Sequence, residues 1–305
     1  SDLLLERGGW AYPECACVLD DCSRLCCHAQ WYLKGTAETF VHSLGQAFLK
    51  RGLPGAFMSD RGKPMLAAET SGGLATLGVV HDTTLPYSPD QNGKQECFWG
   101  QLEGRLMAML EGVPDLSLAL LNQATQAWVE EEYNRAHHSE IGCSPLDRYL
   151  HVRDVGRPSP TSAELRFAFM REESRSLRRS DGTVKLQGVR FEIPSAYRTL
   201  RRPRLRWATW DKSHVHLVDE KTGKALARIF PLDKIANADG KRRLLAPVAT
   251  ATVPAAQLAP LAERAPASSI PPLLEKLMTA YARHHLAPGY LPKGEHSEND
   301  KEDTP

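Results

Sequence analysis

The stretch Leu85–Leu106, "LPYSPDQNGKQECFWGQLEGRL", divides into two halves. Pro86, Pro89, Asn92 and Gly93 break regular structure in the first, and a helical pattern begins directly after them. The first turn of that helix carries one acid, Glu96. An ordinary core helix needs no such entrance. A metal site that must also admit a long polyanion is served by one.

Upstream, Asp60 ends the short strand "AFMSD" and is followed at once by Arg61-Gly62, so its carboxylate is displayed above a turn. The 35 residues Arg61 to Gln95 separate it from Glu96. Asp2 heads the first strand, "DLLLE". Neighbouring strands lie about 5 Å apart, so adjacent strand ends bring two aspartates together. Three such carboxylates suit two Mg²⁺ ions, each of which takes one or two protein carboxylates and fills its other positions with water and phosphate oxygens. Two ions about 3.5–4 Å apart serve in-line displacement at phosphorus. The chain shows no Gly-rich phosphate cradle and no covalent nucleophile.

Around these acids the first 135 residues alternate. "ECACVLD" and "LCCHAQWYL" read as a hairpin joined by "DCSR". "TAETFVHSLGQAFLKRG" is a helix with Thr36 as N-cap and Gly52 as its stop. "AFMSD" is a strand, "ETSGGLATLG" a weak helix and "VVHDTTLP" a strand, followed by helices from about 95 to 111 and from about 116 to 134. Three strands and then β/α alternation predict an α/β domain with a mixed sheet flanked by helices, over residues 1–155. Residues 156–245 read as a small all-β barrel or sandwich. A linker, 246–270, and a short amphipathic helix in a disordered tail, 271–305, follow.

The net charge of +1 is unevenly spread. Between Arg166 and Arg243 there are 20 Lys/Arg against 9 Asp/Glu, a local net of +11, so the remainder carries −10. A basic block beside an acidic one fits a protein that holds a polyanion with one part and cations with another. Seven cysteines sit at 15, 17, 22, 26, 27, 97 and 143 without C-x-x-C pairs, and read as reduced and buried in a cytoplasmic protein. No run of about 18 apolar residues predicts a membrane span, and "SDLLLERGGW" is not a signal peptide.

"SDLLLE", "VLDDCSR", "FMSDRG", "LPYSPDQNGKQE" and "HHSEIGCSPLDRYL" together resemble the DDE transposase family, the retroviral-integrase-like group with a ribonuclease H-like core. The 35-residue spacing, combined with P-x-x-N-G-x-x-E, carries the resemblance. It extends through "RWATWDKSHVHLVD" and "PLDKIANADGKRR", which are similar to the C-terminal barrel of Mu-like bacterial transposases. It implies Mg²⁺-dependent DNA cleavage and strand transfer, with Asp2, Asp60 and Glu96 as the metal-binding triad and Mn²⁺ as a substitute ion. Glu6, Asp20 and Asp21 compete with Asp2, although "DDCSR" reads as a turn in which Asp and Ser cap the backbone. Arg61 and Lys63 stand where the family carries Asn and a small polar residue, which puts activity in doubt but not the fold.

The resemblance also implies DNA contacts from Asn92, Lys94 and Gln95 in the loop before Glu96, and from Arg105 further along the helix. In "YRTLRRPRLRW", Arg198, Arg201, Arg202, Arg204 and Arg206 form a stripe suited to tracking phosphates without reading sequence. Leu273, Leu277 and Tyr281 give the last helix an apolar face for docking in another protein's groove. By resemblance to Mu-like systems that partner is an AAA+ ATPase. Action as a homo-multimer across DNA ends is expected. The resemblance also implies an N-terminal helix-turn-helix region, which this chain starts after, and the lack of an initiator Met suggests a fragment or a processed chain. The rival expectation is a truncated remnant that binds DNA or partners without cutting.

Overall fold

The computed structural model describes residues 3–4, 10–85, 93–114, 116–153, 155–232 and 270–284. The chain divides into two compact units, residues 1–166 together with 263–305, and residues 167–262.

The first unit is mixed α/β. Strands β1 (Leu3–Leu4) and β2 (Trp10–Ala11) pair antiparallel, as do β3 (Glu14–Leu19) and β4 (Cys26–Tyr32). Helix α1 (Ala37–Arg51) follows, then β5 (Ala56–Ser59), helix α2 (Ala68–Thr76) and β6 (Val80–Thr83), with β5 and β6 parallel. The expected change from antiparallel to parallel pairing is present, in separate ladders among the described residues. Thr36 caps α1 reciprocally with Thr39, and Gly52, at φ 82°, ends it. The side of the hairpin bearing Tyr32 faces α1, where the Tyr32 hydroxyl meets His42 Nδ1 at 2.6 Å.

The opposite side of the hairpin packs on the later helices. Helix α3 (Gly93–Gln101) continues through a π-helical stretch (Leu102–Met107) into α4 (Ala108–Leu110). Helix α5 (Leu118–Trp128) continues likewise through Val129–Tyr133. Both carry four-residue repeats. Phe98, Leu102, Leu106 and Leu110 are all buried in one core with Leu121 and Trp128. In a helix of 3.6 residues per turn a four-residue repeat drifts about 40° per step. The wider π turns counter that drift and keep each stripe on one face.

The second stripe, Asn122, Gln126, Glu130 and Asn134, lies along the edge of β4. Asn122 accepts from Trp31 N at 2.7 Å and donates to Trp31 O at 3.1 Å. Asn134 does the same for Cys26, at 2.9 and 3.1 Å, and Gln126 donates to Ala29 O. Glu130 pairs with Arg51 at 2.6 Å. Side-chain amides thus satisfy the strand edge and block its pairing with another chain.

Helix α6 (Pro145–His151), capped by Ser144 with Pro145 at its start, and helix α7 (Ser162–Ala168) were not expected from the sequence, although Ser-Pro is a helix-start signal. The last helix, α8 (Pro272–His284), belongs to the first unit and packs on α5. Leu274 is fully buried, with Leu277 and Met278 against the same core. Of the apolar face expected to dock an AAA+ ATPase, Leu277 packs on this core and Tyr281 is half-buried, while Leu273 is exposed, and that partner is left without support. Burial raises the Tyr281 phenol to about 12.

In the second unit, β7 (Arg171–Ser174), β10 (Arg204–Ala208), β11 (Asp211–Val218) and β12 (Ala225–Ile229) form an antiparallel sheet in the order β12-β11-β10-β7. Strands β8 (Thr183–Leu186) and β9 (Val189–Glu192) form a hairpin. Its two-residue turn, Gln187-Gly188, has positive φ at both positions, as a tight hairpin demands. Phe191, Trp207, Leu217 and Ile229 fill the core.

Candidate functional site

Asp60 follows β5 directly and is exposed. Its Oδ1 accepts from Gly62 N at 2.8 Å, and a Cβ on Gly62 would stand 3.0 Å from that oxygen, so glycine keeps the turn tight against the carboxylate. Ser59 Oγ lies 2.9 Å from both the Asp60 carbonyl and His81 Nε2, and burial lowers the His81 pKa. Ser59 therefore donates to the carbonyl and accepts from a His81 protonated at Nε2. Neither residue was singled out in the sequence, where only strand register brings them together.

Thr84 N donates to Ser59 O at 2.9 Å, so the chain leaves β6 beside Asp60. Glu96 lies in the first turn of α3 and is exposed. Asp2 and Asn92 fall outside the described residues. Among the described residues no three His, Cys, Asp or Glu side chains gather as a metal site. Asp60 and Glu96 have no basic side-chain partner among them. Carboxylate oxygens of this kind match a hard dication in donor chemistry.

Beside the start of α3 sits the β3–β4 turn. Asp20 Oδ2 accepts from Ser23 N at 2.8 Å and from its hydroxyl at 2.5 Å, the capping role expected for this turn. Lys94 Nζ lies 2.5 Å from Asp21 Oδ1. Arg24 adopts φ 64°, rare without glycine, and its Nη2 lies 2.7 Å from Glu140 Oε1. A cavity of about 350 Å³ opens here, lined by Arg24, Lys94, Gln101, Tyr133, His138 and Glu140. Gln95 is half-buried, and Arg105 reaches Glu132 at 3.4 Å.

In the second unit the expected arginine stripe is unevenly engaged. Glu172 holds Arg204 at 3.1 Å and Arg206 at 2.9 Å, and Arg206 is buried with its guanidinium 4.9 Å from the Phe167 ring centre. Arg198 pairs with Glu192 at 3.2 Å. Arg201 and Arg202 are exposed and carry no ion pair among the described residues. The cysteines are free, but Cys22 and Cys97 are exposed rather than buried as expected. Among the described residues no helix is long and apolar enough to cross a membrane.

No protein-family model matches this chain, and no curated protein matches it. Solved structures do. A chain of a simian T-cell lymphotropic virus intasome, in complex with the PP2A regulatory subunit B56 gamma, is 16% identical with TM-score 0.42, covering 76% of this chain and 73% of that one. The HTLV-2 integrase catalytic core with magnesium is 15% identical with TM-score 0.39. The BIV integrase catalytic core is 21% identical with TM-score 0.37. Each of these two matches covers 49% of this chain and 90% of the other. The functional reading is carried by this chain's own residues.

Proposed function

We propose that this chain is a polynucleotidyl transferase of the transposase and integrase kind, cutting DNA at an element's end and joining the freed 3′-hydroxyl to target DNA. One observation supports it most. Asp60 and the segment leading to Glu96 both depart from the carboxyl end of the parallel pair β5–β6. In open α/β sheets, ligands bind outside the carboxyl ends of the strands. In this reading residues 1–155 form a ribonuclease H-like core and 156–245 a DNA-holding β-barrel.

Asp2, Asp60 and Glu96 would hold two Mg²⁺, with Mn²⁺ able to substitute. When bound, the ions activate the attacking oxygen and stabilise the leaving one. The chain's own work is placement. Gly62 N–H engages one oxygen of Asp60 and leaves the other open, while Ser59 and His81 fix the backbone behind it. Asn92, Lys94, Gln95 and Arg105 would meet the DNA near the cut. Arg201 and Arg202 would hold backbone phosphates further away, with Arg198, Arg204 and Arg206 contributing only where DNA displaces their carboxylates. Copies would pair across two DNA ends.

A second reading, binding without cutting, is favoured by Arg61 and Lys63, two exposed cations flanking the Asp60 turn. Nicking of supercoiled plasmid in Mg²⁺ or Mn²⁺ separates the two. Cutting by the wild type that is abolished in Glu96→Gln supports the transferase. No cutting by either, with DNA still bound, supports the second reading.

A further inference from the structure

The cavity between the β3–β4 turn and the start of α3 already holds an anion, the carboxylate of Glu140. That side chain is 61% exposed and sits on a surface turn, yet both its oxygens face Arg24, at 2.7 and 3.4 Å. Arg24, His138 and Lys94 all act to lower its pKa, Arg24 most strongly. Arg24 itself is largely buried, with 13% of its side chain exposed, and its carbonyl is held by the Tyr133 hydroxyl at 3.1 Å. Arg24 is therefore built in, while Lys94 is 45% exposed and the acids opposite the two cations are loose: Asp21, the partner of Lys94, is 78% exposed. His138 lines the cavity beside Glu140.

We propose that this cavity is a phosphate-binding site, filled in the free protein by Glu140 as an internal stand-in, and that it accepts a backbone phosphate of a nucleic acid. A guanidinium that grips a carboxylate with two nitrogens grips phosphate in the same manner. The N-terminus of α3, at Gly93 and Lys94, adds backbone donors and a favourable dipole. Gly93, Cys97 and Gln101 share the helix face that lines the cavity. At about 100° per residue, Glu96 points to a neighbouring face of the same turn. One strand crossing the end of α3 then meets the cavity and the carboxylate in succession. Only the nucleic-acid source of the phosphate rests on the transferase reading; the cavity's affinity for phosphate does not.

The test is done on the full chain in EDTA, so that no divalent ion takes part. Inorganic phosphate is titrated by calorimetry at constant ionic strength, and a fluorescein-labelled duplex oligonucleotide by anisotropy. Glu140→Gln removes the stand-in and is expected to tighten both probes about threefold or more. Lys94→Gln is expected to weaken both about tenfold. Glu103→Gln, an exposed acid further along the helix, controls for bulk charge and is expected to change neither. Thermal melts confirm folding, and Arg24 is left intact because its backbone shapes the turn. Unchanged or weaker phosphate binding in Glu140→Gln overturns the site, as does an equal gain in Glu103→Gln. Tighter phosphate binding with unchanged oligonucleotide binding overturns the nucleic-acid source and leaves a pocket for a small free anion.

Discussion

Leu274→Ala separates a core helix from a partner-docking one. Leu274 has no exposed surface and sits in the core with Trp128 and Leu121. Removing three carbons at about 0.8 kcal/mol each forfeits about 2.4 kcal/mol of transfer free energy, and the residual cavity raises the cost to about 3–4 kcal/mol. For a unit of this size that lowers Tm by roughly 7–14 °C. The assay is urea and thermal unfolding of the full chain, followed by tryptophan fluorescence, since Trp128 lies in the affected core. Leu273→Ala, on the same helix and 54% exposed, is the control and changes stability by less than about 0.5 kcal/mol. Equal, small effects of the two substitutions would refute the placement of α8 in the core and reopen the helix as a docking element.

Three further outcomes follow from the same structure. Asn134→Ala leaves Cys26 N–H and C=O unpaired at about 1–3 kcal/mol each, so urea unfolding shows a loss of at least about 2 kcal/mol. His28 and His42 are held neutral chiefly by burial, His42 down to about 3. The unfolded chain takes up protons near pH 6.5, so stability is full above that pH and is lost as pH falls towards 3. Each histidine adds a slope of about 1.4 kcal/mol per pH unit, and His42→Gln flattens the urea midpoint's pH dependence by one such step. Arg201→Glu with Arg202→Glu weakens duplex DNA binding and reduces the slope of log K against log salt by about 2.

The sequence exposed what local chemistry determines. Thr36 and Gly52 bound α1, Asp20 and Ser23 close the hairpin turn, and Asp60 stands before a glycine turn. The rest depends on partners distant in the chain. Arg24 meets Glu140 across 116 positions, and Asn134 meets Cys26 across 108. Arg204 and Arg206 look like an open stripe until β7 brings Glu172 beside them. The amphipathic pattern of α8 marks an apolar face without naming what covers it. The stripe Asn122, Gln126, Glu130 and Asn134 was readable as a polar repeat, but its meaning required knowing that β4 runs along it.

The transferase reading stands on Asp60 and Glu96 ligating the same ions. Mn²⁺ titration of the wild type, Asp60→Asn, Glu96→Gln and the double variant, read by calorimetry and by the electron paramagnetic resonance of free Mn²⁺, measures this without any DNA. The account predicts that each single substitution weakens Mn²⁺ binding by about tenfold or more, and that the double variant loses far less than the sum of the two. Mn²⁺ binding that ignores both substitutions, or losses that add as if the two carboxylates never met, would contradict it.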